Sequence, residues 1–251
     1  MHISANLGFL FREHPLPDAI RQAKAQGFDA VECHWPYDVD PQDVRNALEE
    51  TGLPMLSLNT RRGEVDAGEH GLSALPSREA EARAAIDEAI AYATAIGCET
   101  VHVMAGKAEG PEAFATFTRN LVYAADQAAP HGIGILIEPL NTGDAPGYFL
   151  TRIDAALAIV AETGSAVKIM FDCYHMAIME GDVLAAFERA RNHVGHVQFA
   201  AVPDRTEPHH GEIDYADLLP RIAAAGHGGY FGVEYKPASG DFRWLEKLKA
   251  L

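Results

Sequence analysis

The sequence predicts an α/β fold, a single (β/α)8 barrel that takes in the whole chain from residue 1 to residue 251. Helix-like stretches rich in alanine and charge alternate along the chain with short apolar runs. Four of the later runs end in side chains that can bind a metal: Glu138, Asp172, Gln198 and Glu234. They are separated by 34, 26 and 36 positions, close to the roughly 30 residues expected for each strand and helix when about 250 residues form eight units.

Eight short apolar runs predict eight strands. They lie near residues 3–7, 30–33, 55–59, 100–104, 134–138, 167–172, 196–199 and 231–235. A largely continuous apolar character is typical of parallel strands that are buried on both faces. Right-handed crossovers through the intervening helices would close such strands into a barrel.

Glycines at the ends of the helix-like stretches predict where each helix stops and the next strand begins. The seven glycines are Gly27, Gly52, Gly97, Gly132, Gly164, Gly195 and Gly226. A final amphipathic segment, residues 242–251, supplies the eighth helix. No linker, low-complexity tract or break in composition divides the chain, so we expect one domain.

The charge of the chain bears on its partners. Lys and Arg number 20 against 36 Asp and Glu, which gives a net charge of −16. So acidic a surface repels a phosphate backbone, which proteins usually bind by neutralising it with cations. We therefore expect a small-molecule partner rather than a nucleic acid. The sequence leaves open whether the chain forms a homo-oligomer.

The cysteines and the apolar runs indicate in which cellular compartment the protein acts. Cys33, Cys98 and Cys173 are odd in number and lack paired-knuckle spacing, so they indicate neither a disulfide framework nor a zinc site. The amino terminus has no basic leader before a long apolar core, and no run approaches the ~20 apolar residues of a membrane span. We expect a soluble cytoplasmic protein.

The four strand-end side chains predict a metal site. The carboxyl ends of parallel barrel strands share one mouth, so these side chains should converge there. Clustered carboxylates repel one another and lose hydration, at a cost on the order of several kcal/mol per group, unless they gain a cation or protons. Three carboxylates and an amide oxygen suit Mg²⁺ or Mn²⁺ better than zinc. A single member could be a structural carboxylate paired with an arginine, but four in register favour a metal.

Two connections are longer than usual, and both follow strands, on the side where barrel loops carry function. Residues 60–77 include three glycines and predict a lid. Residues 202–214 are charged and rich in histidine, and we expect them to be too polar to be buried. The alternative for both is a solvated surface excursion, because long loops are either functional or mobile.

Motifs around the four predicted ligands extend over nearly the whole chain. They are Leu136-Ile-Glu-Pro-Leu-Asn141, Phe171-Asp-Cys-Tyr-His175, Ile178-Met-Glu-Gly-Asp182, Gly195-His-Val-Gln198, Pro203 with Arg205, Glu207 and Pro208, Gly232-Val-Glu-Tyr235 with Pro237, Ser4-Ala-Asn-Leu7, Ala67-Gly-Glu69 and His102-Val-Met-Ala-Gly106. Together they resemble the hydroxypyruvate isomerase family of the xylose-isomerase-like barrels, a branch that also contains 2-oxo-tetronate isomerases. In the related ketose 3-epimerases a histidine stands where this chain has Gln198, so the glutamine favours the hydroxypyruvate branch.

The resemblance implies a metal-dependent aldose-ketose isomerase of carbohydrate and glyoxylate metabolism that interconverts hydroxypyruvate and tartronate semialdehyde. It implies a divalent metal, Mg²⁺ or Mn²⁺, held at Glu138, Asp172, Gln198 and Glu234. Moving a carbonyl between adjacent carbons requires removal of a carbon-bound proton, an enediolate, and return of a proton to the neighbouring carbon. Glu138 and Glu234 would carry out these transfers, since they end different strands and approach the substrate from different sides.

Other functions remain open at this stage. The chain could isomerise a 2-oxo-tetronate, a reaction that the motifs do not separate from that on hydroxypyruvate, or it could epimerise a ketose. It could bind a sugar acid without turnover, in which case loss of the glutamates would leave ligand binding unaffected. A nuclease on the same barrel type would need a histidine-rich multi-zinc site and a basic surface, and the sequence offers neither.

Several residues near the motifs are candidates for substrate binding. His175 lies three residues after Asp172 in the Asp-x-x-His pattern of the family. Asn141 ends the first motif, and His102 lies inside an apolar strand, where a core histidine is the alternative. Trp35 and Tyr37 either wall the pocket or cap the barrel.

An anionic substrate also needs a cation. Arg205 is the first choice and Lys236 the second, because strand periodicity puts Lys236 on the same face as Glu234. Arg61 and Arg62 on the predicted lid are the third option. The alternative for each is an ordinary solvated surface charge.

Overall fold

The computed structural model describes all residues from Met1 to Leu251. Eight parallel strands form one sheet: β1 (Ile3–Asn6), β2 (Ala30–Glu32), β3 (Ser57–Asn59), β4 (Thr100–His102), β5 (Gly134–Ile137), β6 (Val167–Asp172), β7 (Val194–Phe199) and β8 (Phe231–Val233). Neighbours pair in the order β2-β1-β8-β7-β6-β5-β4-β3. A parallel bridge between Val31 and Met55 joins the two ends of this order. The sheet is therefore a nearly closed barrel.

Nine α-helices lie between and after the strands. They are α1 (Leu16–Ala25), α2 (Pro41–Thr51), α3 (Glu79–Ile96), α4 (Gly110–Ala128), α5 (Ile153–Thr163), α6 (Cys173–Glu180), α7 (Val183–Ala190), α8 (Tyr215–Ala224) and α9 (Arg243–Lys249). Both α6 and α7 lie between β6 and β7, so the last helix is the ninth. No helix combines the length and the apolar character that a membrane span requires.

The predicted (β/α)8 barrel is confirmed, and every predicted strand overlaps an observed one. β6 occupies the predicted residues, whereas β5 and β8 end one residue before Glu138 and Glu234. Gly52 and Gly97 end α2 and α3 in the left-handed conformation, as predicted from helix-terminating glycines.

The prediction that Gly195 ends a helix is wrong. Gly195 lies inside β7, and α7 ends earlier, at Ala190. A Cβ at Gly195 would lie 2.7 Å from the Cβ of Lys168 on the neighbouring strand. The glycine is therefore required by close packing of two strands rather than by a helix terminus.

The two faces of the barrel strands differ in character. Residues at alternate positions, such as Ile3 in β1 and Phe171 in β6, belong to a hydrophobic core of 67 buried residues that includes members of every strand and every helix. The intervening positions point to the opposite face, the barrel interior, because successive strand residues alternate. There the buried residues include Ser4, Glu32 and Gln198. The interior therefore holds polar groups that converge toward the carboxyl ends of the strands.

The loop formed by residues 60–77 is fixed at its second half. The backbone N–H groups of Ser73 and Ala74 donate to the carbonyl oxygens of Met104 and Ala105. Gly71, at φ 119°, lies so close to Met104 that a Cβ would be 2.6 Å from its carbonyl oxygen. The lid prediction therefore concerns only the largely exposed residues 61–69.

The expectation that residues 202–214 are too polar to be buried is wrong for two of their charged side chains. Arg205 is 8% exposed and Glu207 is fully buried. Glu207 Oε1 accepts hydrogen bonds from the backbone N–H groups of Ala238 and Ser239, at 2.9 and 2.7 Å. Burial is tolerated because each charged group has partners, and Glu207 ties this loop to the loop after β8.

Candidate active site

A cavity of about 390 Å³ opens at the carboxyl ends of the strands. Its wall includes the acidic side chains of Glu138 and Glu234 together with His102 and His175. Side chains at the ends of different strands can meet only here, because parallel barrel strands all point toward the same mouth.

Three predicted ligands come together in this cavity. Glu138 follows β5, Asp172 ends β6 and Glu234 follows β8, and all three are buried. One side-chain atom from each of them, with one from His175, forms a group whose members all lie within 4.8 Å of one another. Like charges at this separation require either protons or a cation.

The fourth predicted ligand, Gln198, lies beside them in the sheet. It is 1% exposed and is the register partner of Asp172. Its Nε2 donates to Glu32 Oε2 at 2.7 Å, whereas its Oε1 is buried without a hydrogen-bond partner. A buried carbonyl oxygen without a donor is suited to coordinate a cation.

The carboxyl groups differ in protonation. Burial raises the pKa of Glu138 well above its usual range, and the charges of Glu234 and Asp172 raise it further. Burial also raises the pKa of Asp172, to about 7, although Arg205 opposes the shift. Burial would raise the pKa of Glu234 too, but Arg205 and His34 outweigh it and lower this pKa to about 2. Without another cation the cluster therefore holds protons.

Arg205 lies within the acidic cluster. Its Nη2 is 2.7 Å from Glu234 Oε2 and 3.5 Å from Asp172 Oδ2, and its Nη1 is 3.3 Å from Asp144 Oδ2. The guanidinium also lies over the Tyr174 ring, 4.9 Å from its centroid. Arg205 lines the cavity, but its charge is already paired with these carboxylates.

The hydrogen bonds of His175 determine which of its ring nitrogens carries the proton. Nδ1 accepts from the backbone N–H of Asn141 at 3.1 Å and lies 2.8 Å from Asn141 Nδ2. Burial lowers the pKa of His175 to about 3, so the ring is neutral and its proton lies on Nε2. Nε2 is 3.6 Å from Asp172 Oδ2 and 3.8 Å from Glu138 Oε1. His175 therefore presents a hydrogen-bond donor to the cavity, and Asn141 acts by orienting it.

His102 forms part of the cavity wall. Its Nδ1 lies 3.6 Å from Glu138 Oε2, and neither ring nitrogen has a hydrogen-bond partner. Burial lowers the pKa of His102 to about 3, so the ring is neutral. An unpartnered buried imidazole in a cavity wall can donate to or accept from a bound molecule.

Sequence reasoning missed two residues that contact Glu234. His34 Nε2 lies 2.7 Å from Glu234 Oε1, and Asn6 Nδ2 donates to the same oxygen at 2.9 Å. Asn6 is the last residue of β1, and His34 follows β2 by two residues. The signal that identified Glu138, a polar residue at the end of an apolar strand, applies to both.

The remaining cations differ in whether they already have a carboxylate partner. Arg61 Nε is 2.7 Å from Glu88 Oε2 and its guanidinium lies over Tyr37. Arg62 has no carboxylate partner, lies over the Trp35 ring at 3.9 Å from its centroid, and lines the cavity. Lys236 is exposed and also lines the cavity, near the unpredicted Arg12. The rim therefore carries free positive charge above an acidic floor.

The residues fit a divalent metal. Glu138 Oε1 and Gln198 Oε1 are buried oxygen atoms without hydrogen-bond partners. With Asp172 and Glu234 they make a set of oxygen donors, which hard divalent ions prefer. The neutral His175 is a poor fifth ligand because its cavity-facing Nε2 carries the proton.

Comparison with known proteins agrees with this geometry. The profile of the family described as xylose isomerase-like TIM barrel matches residues 20–250. The chain is 43% identical over 251 residues to 2-oxo-tetronate isomerase of Cupriavidus necator, covering 98% of this chain and 96% of that one. It is 35% identical over 257 residues to hydroxypyruvate isomerase of Escherichia coli, covering 99% and 100%. A solved structure from Brucella melitensis named AP endonuclease, family 2, matches with a TM-score of 0.94 at 38% identity over 98% of both chains. The chain belongs to the xylose isomerase-like TIM barrel family.

Proposed function

We propose that the chain is an isomerase of small sugar acids that interconverts hydroxypyruvate and tartronate semialdehyde, or isomerises a 2-oxo-tetronate. The observation that carries the proposal is the meeting of Glu138, Asp172 and Glu234 at the carboxyl end of a barrel of this family, with side-chain atoms within 4.8 Å. The names of the relatives from Cupriavidus necator and Escherichia coli support the same reaction class.

Glu138, Asp172, Gln198 and Glu234 would hold the metal, Mg²⁺ or Mn²⁺. When bound, such an ion stabilises negative charge that develops on the substrate oxygens. The two buried oxygen atoms without partners, Glu138 Oε1 and Gln198 Oε1, support this ligand set.

Glu234 and Glu138 would move the carbon-bound protons. A proton leaves the carbon that bears the hydroxyl group and a proton is added to the former carbonyl carbon, while the hydroxyl proton passes to the former carbonyl oxygen. We assign the first transfer to Glu234, because Arg205 and His34 keep it ionised. The second falls to Glu138, which follows a different strand from Glu234 and so approaches the substrate from another side. In the reverse direction the roles exchange.

The neutral histidines would orient the reacting oxygens. His175 presents Nε2–H toward the cavity because its Nδ1 is occupied by Asn141. His102 has two ring nitrogens without partners in the same wall. A hydrogen-bond donor aimed at the enediolate oxygens stabilises the transition state without taking part in proton transfer from carbon.

The carboxylate of the substrate would bind at the rim. Arg205, the first choice from sequence, is paired with Glu234 and Asp172, so we propose that it keeps Glu234 ionised and contacts the reacting end of the substrate. Arg62 and Lys236 are free of acidic partners and line the cavity, so they suit the carboxylate. The substrate would then span from an acidic floor to a basic rim.

The test is a substrate panel. Protein stripped with a chelator is assayed on hydroxypyruvate, 2-oxo-tetronates and free ketoses, first alone and then with Mg²⁺ or Mn²⁺. We expect turnover of the sugar acids only after metal is restored. Full activity of demonstrably metal-free protein would contradict the metal site, and turnover of ketoses alone would contradict the sugar-acid assignment. Abasic-site DNA is included because of the name of the Brucella melitensis structure, and cleavage of it alone would refute the isomerase.

We also propose that the chain acts in the cytoplasm. Its three cysteines are free and buried, which fits a reducing compartment. Localisation of the tagged protein in its own cells checks this.

A further inference from the structure

A further buried carboxylate, Glu32, lies beside the candidate metal site and has no role in the proposed reaction. It ends β2 and is 1% exposed. Its Oε1 accepts from Ser4 Oγ at 2.5 Å and its Oε2 accepts from Gln198 Nε2 at 2.7 Å. His196 Nε2 lies 3.0 Å from Oε1, although not in hydrogen-bond geometry. The barrel interior therefore holds an acidic group that touches a predicted metal ligand.

The space for this carboxylate depends on a glycine. Gly232 is the register partner of Ser4 on one side and of Gln198 on the other. A Cβ at Gly232 would lie 2.1 Å from Glu32 Oε1 and 2.8 Å from His196 Nε2. Any other residue at position 232 would displace the Glu32 carboxylate. The contact between Glu32 and Gln198 is thus built into the pairing of β7, β8 and β1.

The chemistry of the two side chains determines how the amide of Gln198 is turned. An ionised carboxylate only accepts hydrogen bonds, whereas an amide donates from nitrogen and accepts at oxygen. Only Nε2 of Gln198 can face Glu32 favourably. Its Oε1 must then point away from Glu32, and it is buried without a hydrogen-bond partner. An amide nitrogen offers no lone pair to a cation, so this orientation is the one that permits coordination.

The opposite orientation would be favoured if Glu32 were absent. Gln198 is the register partner of Asp172, and an amide N–H near a carboxylate forms a charge-assisted hydrogen bond. The acidic cluster alone would therefore attract the nitrogen of Gln198 rather than its oxygen. Glu32 competes for that nitrogen from the other side.

We propose that Glu32 is a positioning residue that turns the Gln198 amide so that its oxygen faces the metal. The proposal rests on the proposed function, since it takes Gln198 as a metal ligand. Groups that orient a metal ligand commonly change metal affinity by roughly 10–100-fold when they are removed.

Isothermal titration of chelator-treated protein with Mn²⁺ tests the proposal without using turnover. Glu32→Asp keeps the charge but shortens the side chain, and Glu32→Gln keeps the length but removes the obligatory acceptor. We expect each to weaken Mn²⁺ binding by about 10-fold or more. Each is also made in a Gln198→Ala background, where we expect less than about a 2-fold further change. Circular dichroism and thermal unfolding confirm that each variant is folded, and the isosteric Glu32→Gln serves if Glu32→Asp does not fold.

The outcomes separate the proposal from the metal site itself. Wild-type affinity in Glu32→Asp and Glu32→Gln would overturn the positioning role. An equal loss with and without Gln198 would also overturn it, because Glu32 would then act through its charge alone. Wild-type affinity in Gln198→Ala would remove Gln198 from the ligand set and with it this inference. Wild-type protein that binds no Mn²⁺ would refute the proposed metal site first.

Discussion

Glu138 and Glu234 are the same type of side chain, yet without a bound metal the barrel shifts their pKa values in opposite directions. Glu234 contacts Arg205, His34 and Asn6. Burial would raise its pKa, but Arg205 and His34 outweigh burial and lower the pKa to about 2. Burial raises the pKa of Glu138, and the charges of Glu234 and Asp172 raise it further. No cation lies as close to Glu138 as Arg205 lies to Glu234. Two carboxyl groups whose environments separate their pKa values are suited to act as base and acid.

Substitution of these glutamates tests the assignment. Glu138→Gln and Glu234→Gln should each lose at least roughly 10²-fold in kcat, the contribution typical of general acid–base catalysis. Bound metal is measured on each variant, because loss of a ligand would add to the deficit. Turnover in deuterated water should label the carbon that receives the proton. Substantial activity of both metal-loaded variants, with no solvent label, would instead indicate a hydride shift.

The rim cations are tested by Arg62→Ala. We expect the KM for hydroxypyruvate to rise about 10-fold or more, because a charge-assisted hydrogen bond to the carboxylate contributes roughly 1.5–3 kcal/mol. The KM for a neutral ketose should change little. Arg61→Ala is the matched control, since Arg61 pairs with Glu88 rather than lining the cavity. Equal effects of the two substitutions on the acid would assign Arg62 to loop structure.

At the scale of elements, the loop after β7 shows how a polar segment can be ordered. Arg205 has a positive φ of 57°, and its carbonyl oxygen accepts from the backbone N–H of Lys236 at 2.8 Å. Glu207 accepts three hydrogen bonds from Ala238 and Ser239. The loops after β7 and β8, which carry Arg205 and Lys236, are therefore held together as one unit.

Glu207→Ala should loosen this unit. Two backbone N–H groups, those of the exposed residues Ala238 and Ser239, would lose their charged acceptor, and a hydrogen bond to a charged group contributes about 1.5–3 kcal/mol. We expect a lower free energy of unfolding in urea and a higher KM for the sugar acid. Asp204→Ala is the control, because Asp204 is exposed and bonds only to Thr206 in the same loop. A variant of Glu207 with wild-type stability and KM would refute the link between the loops.

At the scale of the whole molecule, we propose that residues 1–251 form one domain. A core of 67 buried residues draws on every strand and helix, and the terminal amine of Met1 donates to the carbonyl oxygen of Lys249 at 2.9 Å. Calorimetry of the metal-free protein should therefore show one cooperative transition. Two separate transitions would contradict the proposal.

Metal and pH should act together on this transition. Burial raises the pKa of Asp172 from 3.8 to about 7, so the folded state holds this proton more tightly than the unfolded chain. Stability is then lost as pH rises from about 4 through 7 in metal-free protein. Mn²⁺ at about 100 times its Kd contributes about 2.7 kcal/mol, or roughly 5–10 °C in Tm. At one fixed Mn²⁺ concentration the gain should be larger at pH 8 than at pH 6, because the metal competes with fewer protons at pH 8. An equal gain at both would argue against proton displacement from the cluster.

The sequence alone determined the barrel and the strand ends that carry the acidic residues. Helix and strand periodicity and helix-ending glycines are local signals, and parallel topology brings strand ends to one mouth whatever the details of packing. For this reason Glu138, Asp172 and Glu234 were predicted to meet, and they do.

Only the tertiary structure decided which polar groups pair with one another. His34 contacts Glu234 across 200 positions of chain, and Glu32 contacts Gln198 across 166. Such contacts depend on strand register and on how far each side chain reaches inside the barrel, which residue spacing does not encode. The same holds for Arg205, which the sequence predicted to be available for the substrate carboxylate. In the fold its guanidinium is paired with Asp172 and Glu234, because a buried charge needs a partner of opposite charge.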